Sequence, residues 1–218
     1  MGTYIDVNIT LYSNEVCKML KYKLDTLICG TPYGQTAFGH EALFDDEKEA
    51  VYHKWCGIKG ENENLYVVNR GIYGGSFTKN SIKLSLLRTP MYATHPIKQR
   101  QIAPHDRFIN HIDMGEREFS FRITTEENIE REAQIFNESP ILLSFFPSGD
   151  GDSKTSVIEI DNPQILLSSL KKSDNGYEAV LYNTSENDNI TNVLINPAKE
   201  KFDLKFGKHE IKTLKFNL

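Results

Sequence analysis

Short stretches in which apolar and polar residues alternate recur along the whole chain. Val7, Ile9 and Leu11 share one face of an extended segment, with Asn8, Thr10 and Tyr12 on the other. Ile82, Leu84 and Leu86 repeat the pattern, as do Phe119, Phe121 and Ile123, and residues 156–160. Near the end, 202–206 and 211–216 alternate in the same way. A period of two predicts strands with one buried and one wet face. Clusters at 69–71, 74–75, 148–151 and 174–176 separate these runs; they hold Gly, Asn and Asp, which tolerate the backbone angles of turns.

One stretch departs from this pattern. Across 124–136, Ile129, Ala133 and Phe136 fall at helical spacing and make a single apolar stripe. Thr124 and Glu127 have the spacing of a capping box, so a helix is predicted from Thr124, ending near Asn137 before Pro140. Residues 89–111 hold Pro90, Pro96 and Pro104 with little alternation and read as a long loop. Many short strands and one short helix give an all-β class built from two antiparallel β-sandwich units. The seam is placed at the helix and Pro140, giving units 1–138 and 139–218.

Composition narrows the classes. The 218 residues are enough for one large domain or two small ones with cores of their own. Charged residues make up 25% and hydrophobic ones 39%, as in ordinary globular proteins. No run is long and apolar enough for a membrane helix, so no membrane contact is expected. A net charge of -5 argues against a nucleic-acid surface. The N-terminus lacks the basic and apolar regions of a signal peptide. Cys17, Cys29 and Cys56 are odd in number and widely spaced, which suits a reducing, cytoplasmic setting. On that reading the four glycosylation sequons, at Asn8, Asn137, Asn183 and Asn189, are chance matches in an Asn-rich sequence.

Candidate chemistry is plentiful but unassembled. Asp45, Asp46, Asp113 and Glu116 lie in or beside loops, where a glycosidase would place its two carboxylates, yet spacing alone selects no pair. His111 and Asp113, if extended, would share a face able to hold a metal, and His105 and Asp106 lie in the same loop; further ligands are not visible as a spaced motif. His53 and Cys56 are close in sequence but would point to opposite faces of a strand, so Cys56 reads as a buried thiol. Residues 71–75 could be mistaken for a phosphate loop, but no Lys-Ser/Thr ending follows; a hairpin joining 65–68 to 82–84 explains them more simply. Trp55, Tyr73 and Tyr92 are eligible as stacking platforms for a sugar ring, with core packing the commoner fate of a lone Trp.

The order of segments resembles the C-terminal β region of glycoside hydrolase family 38, the α-mannosidases. Residues 35–40 (QTAFGH), then His53-Lys54-Trp55, resemble the family's strand and its H-K-W approach to the core. Residues 65–74 (LYVVNRGIYG) are similar to its hydrophobic-N-x-G-x-Y-G hairpin, and 82–90 (IKLSLLRTP) to its L-x-L-x-L-L-R-x-P strand. Residues 113–119 resemble its D-x-G-x-x-x-F segment, and 209–214 its closing E-I-K-T strand. The resemblance covers about nine-tenths of the chain.

It implies a galactose-mutarotase-like supersandwich portion followed by a smaller C-terminal sandwich. Family members are retaining exo-α-mannosidases whose aspartate nucleophile and most zinc ligands lie on an N-terminal α/β barrel, followed by a helical bundle. Neither has a counterpart here, so the chain reads as a fragment, inactive alone. It carries no catalytic residue, metal ligand or cofactor, and the zinc is expected on the missing barrel. The implied partners are that barrel and bundle of the same full-length protein, and a mannose-containing glycan. A second copy of the chain is a further candidate partner. Asn69, Arg70, Gly71, Tyr73 and Gly74 match the hairpin and Arg88 the end of the next strand; the resemblance makes them candidates for the sugar-pocket rim or for contact with the barrel. Two other classes remain open: a free-standing carbohydrate-binding or interaction module, and a self-sufficient β-sandwich glycosidase.

Overall fold

In the computed structural model, residues 4–90, 111–143, 156–174 and 176–217 are described. Most of the expected loop over 89–111, with His105, Asp106 and Tyr92, lies outside them, as does the glycine-rich turn at 148–151. Contacts divide the chain into two units, Met1–Gly34 with Glu41–Glu127, and Gln35–His40 with Asn128–Leu218.

The first unit is built from β1 (Tyr4–Ser13), β2 (Met19–Asp25), β3 (Gly30–Thr36), β4 (Gly39–Ala42), β5 (Glu49–Val51), β6 (Trp55–Gly60), β7 (Asn64–Arg70), β8 (Gly74–Thr78), β9 (Ser81–Arg88) and β10 (Gly115–Thr124), except that the end of β3 and the start of β4, within Gln35–His40, count with the second. Six strands form one sheet in the order β1-β10-β7-β6-β3-β4, and four form a second in the order β2-β9-β8-β5. Residues from both sheets, among them Ile58, Val67 and Phe121 from one and Phe77, Ile82 and Leu84 from the other, make a single dry core. Full burial of each such side chain is worth about 1.5–3 kcal/mol.

The alternating runs are strands as predicted, with one local shift. The pairing of β2 with β9 slips between Leu20 and Lys21, so that Leu20 faces Leu87 and Lys21 faces Ser85. An extra residue of this kind flips the side chains beyond it. Leu87 is therefore buried, while Leu86, expected on the core face, is only partly so.

The predicted hairpin between 65–68 and 82–84 is not formed. β7 pairs with β6 and β10, whereas β8 pairs with β9 and β5. Residues 71–73 are thus a crossover from one sheet to the other. The reason lies in β7, where Tyr66, Val67, Val68 and Asn69 are all buried: a strand covered on both faces reads as continuous rather than alternating. The hairpins that do form join β6 to β7 and β8 to β9.

The second unit holds α1 (Ile129–Asn137), β11 (Ile158–Ile160), β12 (Ile165–Ser173), β13 (Gly176–Asn183), β14 (Asn189–Ile195), β15 (Glu200–Phe206) and β16 (Ile211–Phe216). Two three-stranded sheets, β11-β14-β15 and β12-β13-β16, enclose a core that includes Ile165, Leu181, Val193, Ile195 and Phe206.

The helix begins later than predicted. Thr124 ends β10, paired with Tyr4, and its hydroxyl accepts from the Glu126 amide. Asn128 is the cap instead, its side chain accepting from the Arg131 amide. The helix ends at Asn137 as expected, and Ile129, Ala133 and Phe136 are all buried. Its cap also donates to Pro163, and Gln134 donates to Leu167. These bonds tie the helix to the second unit, so contacts divide the chain at 127/128, ahead of the helix, rather than at 138/139 behind it.

Candidate functional site

The crossover at 69–74 is held by a buried asparagine. Asn69 is 1% exposed. Its Nδ2 donates to the His53 carbonyl at 2.8 Å, and its Oδ1 accepts from the Ile72 amide at 2.9 Å. Ile72 plugs the core beneath, and Tyr52 donates its hydroxyl to the Gly74 carbonyl. Gly71 has φ +91°, a conformation that L side chains rarely adopt. This leaves Arg70, Gly71 and Tyr73 exposed at the tip, with Tyr73 59% exposed. Arg88 is also exposed, at the end of β9. Asn69 itself faces inward; its part in any rim is to fix the backbone that presents Arg70 and Tyr73.

A second arrangement, in the second unit, was not anticipated. His40 of β4, Glu186 in the turn after β13, and His209 in the turn before β16 come from three distant stretches, yet their ligand atoms all lie within 4.8 Å of one another. Glu186 Oε1 is 3.6 Å from His40 Nε2 and 3.5 Å from His209 Nε2. The two rings meet edge to face, with centroids 5.6 Å apart. The other carboxylate oxygen of Glu186 accepts from Lys208 Nζ, which holds the Glu186 carboxyl below its ordinary range. The His209 ring lies against Gly39, where a Cβ would stand in ordinary contact, 3.4 Å from His209 Nδ1.

Asn183 sets up this geometry. It is fully buried, and its Nδ2 donates to the Asn187 and Gly207 carbonyls at 2.7 and 2.9 Å. Its Oδ1 accepts from the Ser185 amide, and its own amide donates to the Glu210 carbonyl. The His209 amide donates to the Ser185 carbonyl. One side chain thus pins the turn bearing Glu186 to the turn bearing His209. The Asn183 sequon and the Lys208-His209 pair are the only traces of this in the sequence, and neither has the spacing of a metal motif.

The chain shares its fold with part of two solved glycoside hydrolases. One is an α-mannosidase from Enterococcus faecalis V583, and the other a glycosyl hydrolase family 38 protein from Enterococcus faecalis. Each superposes with a TM-score of 0.74, at 12% and 14% identity respectively. Each alignment covers 99% of this chain and 28% of the solved one, so the chain spans little more than a quarter of their length. No family model and no curated protein matches the sequence. At such low identity the likeness is one of fold, and it gives the resemblance seen in the sequence a counterpart in three dimensions.

The other residues singled out from sequence fall elsewhere. Asp46 is tied to Lys48, whose hydrogen bond keeps its carboxyl low, the opposite of what a general acid requires. Asp113 has φ +57° and lies 3.8 Å from Arg117, so 111–113 is not the extended segment that would put His111 and Asp113 on one face. His111 instead approaches Cys17, with Nε2 3.6 Å from Sγ. Cys56 is fully buried, and desolvation pushes its thiol up to about 12, which makes it inert as a nucleophile. Trp55 is fully buried and packs edge-on against Tyr66, a core residue rather than a sugar platform. A hollow of about 790 Å³ on the second unit is lined by Glu159, Asp161, Asn192 and Lys201, among others. Its Asp161 carboxylate accepts from Thr191 and Asn192 and is held low, chiefly by Asn192. Among the described residues no helix is long and apolar enough to cross a membrane.

Proposed function

We propose that the chain is the non-catalytic C-terminal portion of a retaining exo-α-mannosidase. It packs on the catalytic barrel and helps wall the sugar pocket during hydrolysis of mannose-containing glycans. The observation that carries this reading is the match in fold: nearly all of this chain aligns with about a quarter of an α-mannosidase. The partners are the α/β barrel and helical bundle of the same protein, and the catalytic zinc belongs to that barrel. The exposed tip formed by Arg70, Gly71 and Tyr73 is the surface offered to the pocket rim or the barrel. Arg70 would donate to sugar hydroxyls or backbone carbonyls, and Tyr73 would supply a ring face and a hydroxyl.

The test is hydrolysis of an aryl α-mannoside with added zinc, by this chain alone and by the chain joined to the sequence that precedes it in its gene. Turnover only in the joined protein is the expected result. There, Arg70→Ala and Tyr73→Ala should raise KM more than they lower kcat, since a rim contact binds substrate and transition state alike. Turnover by the chain alone would refute the reading. Tyr73 is exposed enough to serve as a platform in a free-standing carbohydrate-binding module; binding of manno-oligosaccharides to the isolated chain, lost in Tyr73→Ala, would favour that second reading.

A further inference from the structure

We propose that His40, Glu186 and His209 form a binding site for a single first-row divalent ion, with zinc the natural probe. Two imidazoles and one carboxylate suit zinc, cobalt, nickel or copper, and not calcium or magnesium, which take oxygen ligands. Distances support the assignment. In a tetrahedral zinc site with bonds of about 2.0–2.1 Å, neighbouring ligand atoms stand about 3.3–3.4 Å apart. The two Nε2–Oε1 separations, 3.6 and 3.5 Å, are within a few tenths of that edge. They are long for hydrogen bonds.

Three further features are those of a prepared site. Both ring nitrogens of His209 are shielded from water and neither makes a well-formed hydrogen bond among the described residues, Nε2 having only the long approach to Glu186 Oε1; a buried polar atom so placed calls for an explanation. Lys208 occupies one oxygen of Glu186 and leaves Oε1 toward the histidines. Asn183 fixes the two turns before any ion arrives, so little ordering is required on binding. Glu186 is about half exposed, which leaves the fourth position open to a water. With three protein ligands, the ion would tie the stretch ending at His40 to the two turns that carry Glu186 and His209, all within the second unit.

The experiment is titration of the metal-stripped 218-residue chain with Zn²⁺ against a chromophoric chelator, paired with the visible spectrum of the Co²⁺ form. One ion per chain is expected. The cobalt spectrum should show the bands of a four-coordinate nitrogen and oxygen site, without thiolate charge transfer. Glu186→Gln and His209→Gln should each weaken binding by at least about tenfold. Both are partly exposed, and circular dichroism checks that they remain folded. His111→Ala, which removes the Cys17–His111 pair of the first unit, should leave affinity unchanged. Saturating zinc should raise the melting temperature by about 5 °C. The absence of stoichiometric binding, a thiolate band in the cobalt spectrum, or binding abolished by His111→Ala but not by His209→Gln would each overturn the proposal. None of these outcomes depends on mannosidase activity, so the site stands or falls apart from the function proposed above.

Discussion

Asn69 in the first unit and Asn183 in the second do the same job with different results. Each is a buried side chain that satisfies backbone groups on both sides of a change in chain direction. Around Asn69 the polar work ends inside the fold, and what reaches the surface is a short tip with Arg70 and Tyr73. Around Asn183 two turns are locked together, and the chemistry they carry converges on one point. A buried amide fixes the backbone; whether a site results depends on which side chains the fixed backbone happens to present.

The strongest way to break this comparison is Asn183→Ala. It removes the bonds to the Asn187 and Gly207 carbonyls and strands the buried end of the Ser185 amide, and should cost about 3 kcal/mol in urea unfolding. It should also weaken zinc binding, because Glu186 and His209 lose their common anchor. Asn69→Ala removes the bonds to the His53 carbonyl and the Ile72 amide and should cost about 2 kcal/mol, with zinc affinity unchanged. If both variants weakened zinc equally, the two asparagines would not be locally distinct.

The smallest effect concerns pH. The Asp161 carboxyl, held low chiefly by the Asn192 amide, has a folded pKa below its unfolded one. Its stabilising contribution is complete above the unfolded value, about 3.9, and fades as pH falls through the folded value. Asp161→Asn should therefore lower stability modestly at pH 6, and the gap from the parent chain should narrow as pH falls below the unfolded value. A gap that stayed constant over this range would mean that the carboxylate's charge contributes nothing.

Much of the fold was legible in the sequence because burial on one face leaves a period of two. The strands at 82–86, 119–123, 202–206 and 211–216 announced themselves in this way. The helical stripe was equally plain, since Ile129, Ala133 and Phe136 have no other reason to recur at that spacing. What misled was local chemistry with two uses. Thr124 resembles a cap but closes a strand, and the Asn-Arg-Gly of 69–71 resembles a hairpin tip but turns the chain from one sheet to another. The buried run at 66–69 was the signal against a hairpin. The metal-type cluster was beyond reach, because His40, Glu186 and His209 come from three stretches far apart in the chain and meet only in the folded unit.

Residues 35–40 have a consequence for how this protein can be taken apart. Six residues embedded in the stretch that builds the first unit belong by contact to the second. They bring the Gln35 amide to the buried Glu130 carboxylate at 2.5 Å, and they bring His40 to Glu186. The second unit is therefore not a cassette. A gene cut at 127/128 would sever it from part of itself, and the piece 128–218 would be made without its own Gln35 and His40. Shuffling of such a unit between proteins must carry both stretches together, so the pair is expected to be inherited, duplicated and lost as one.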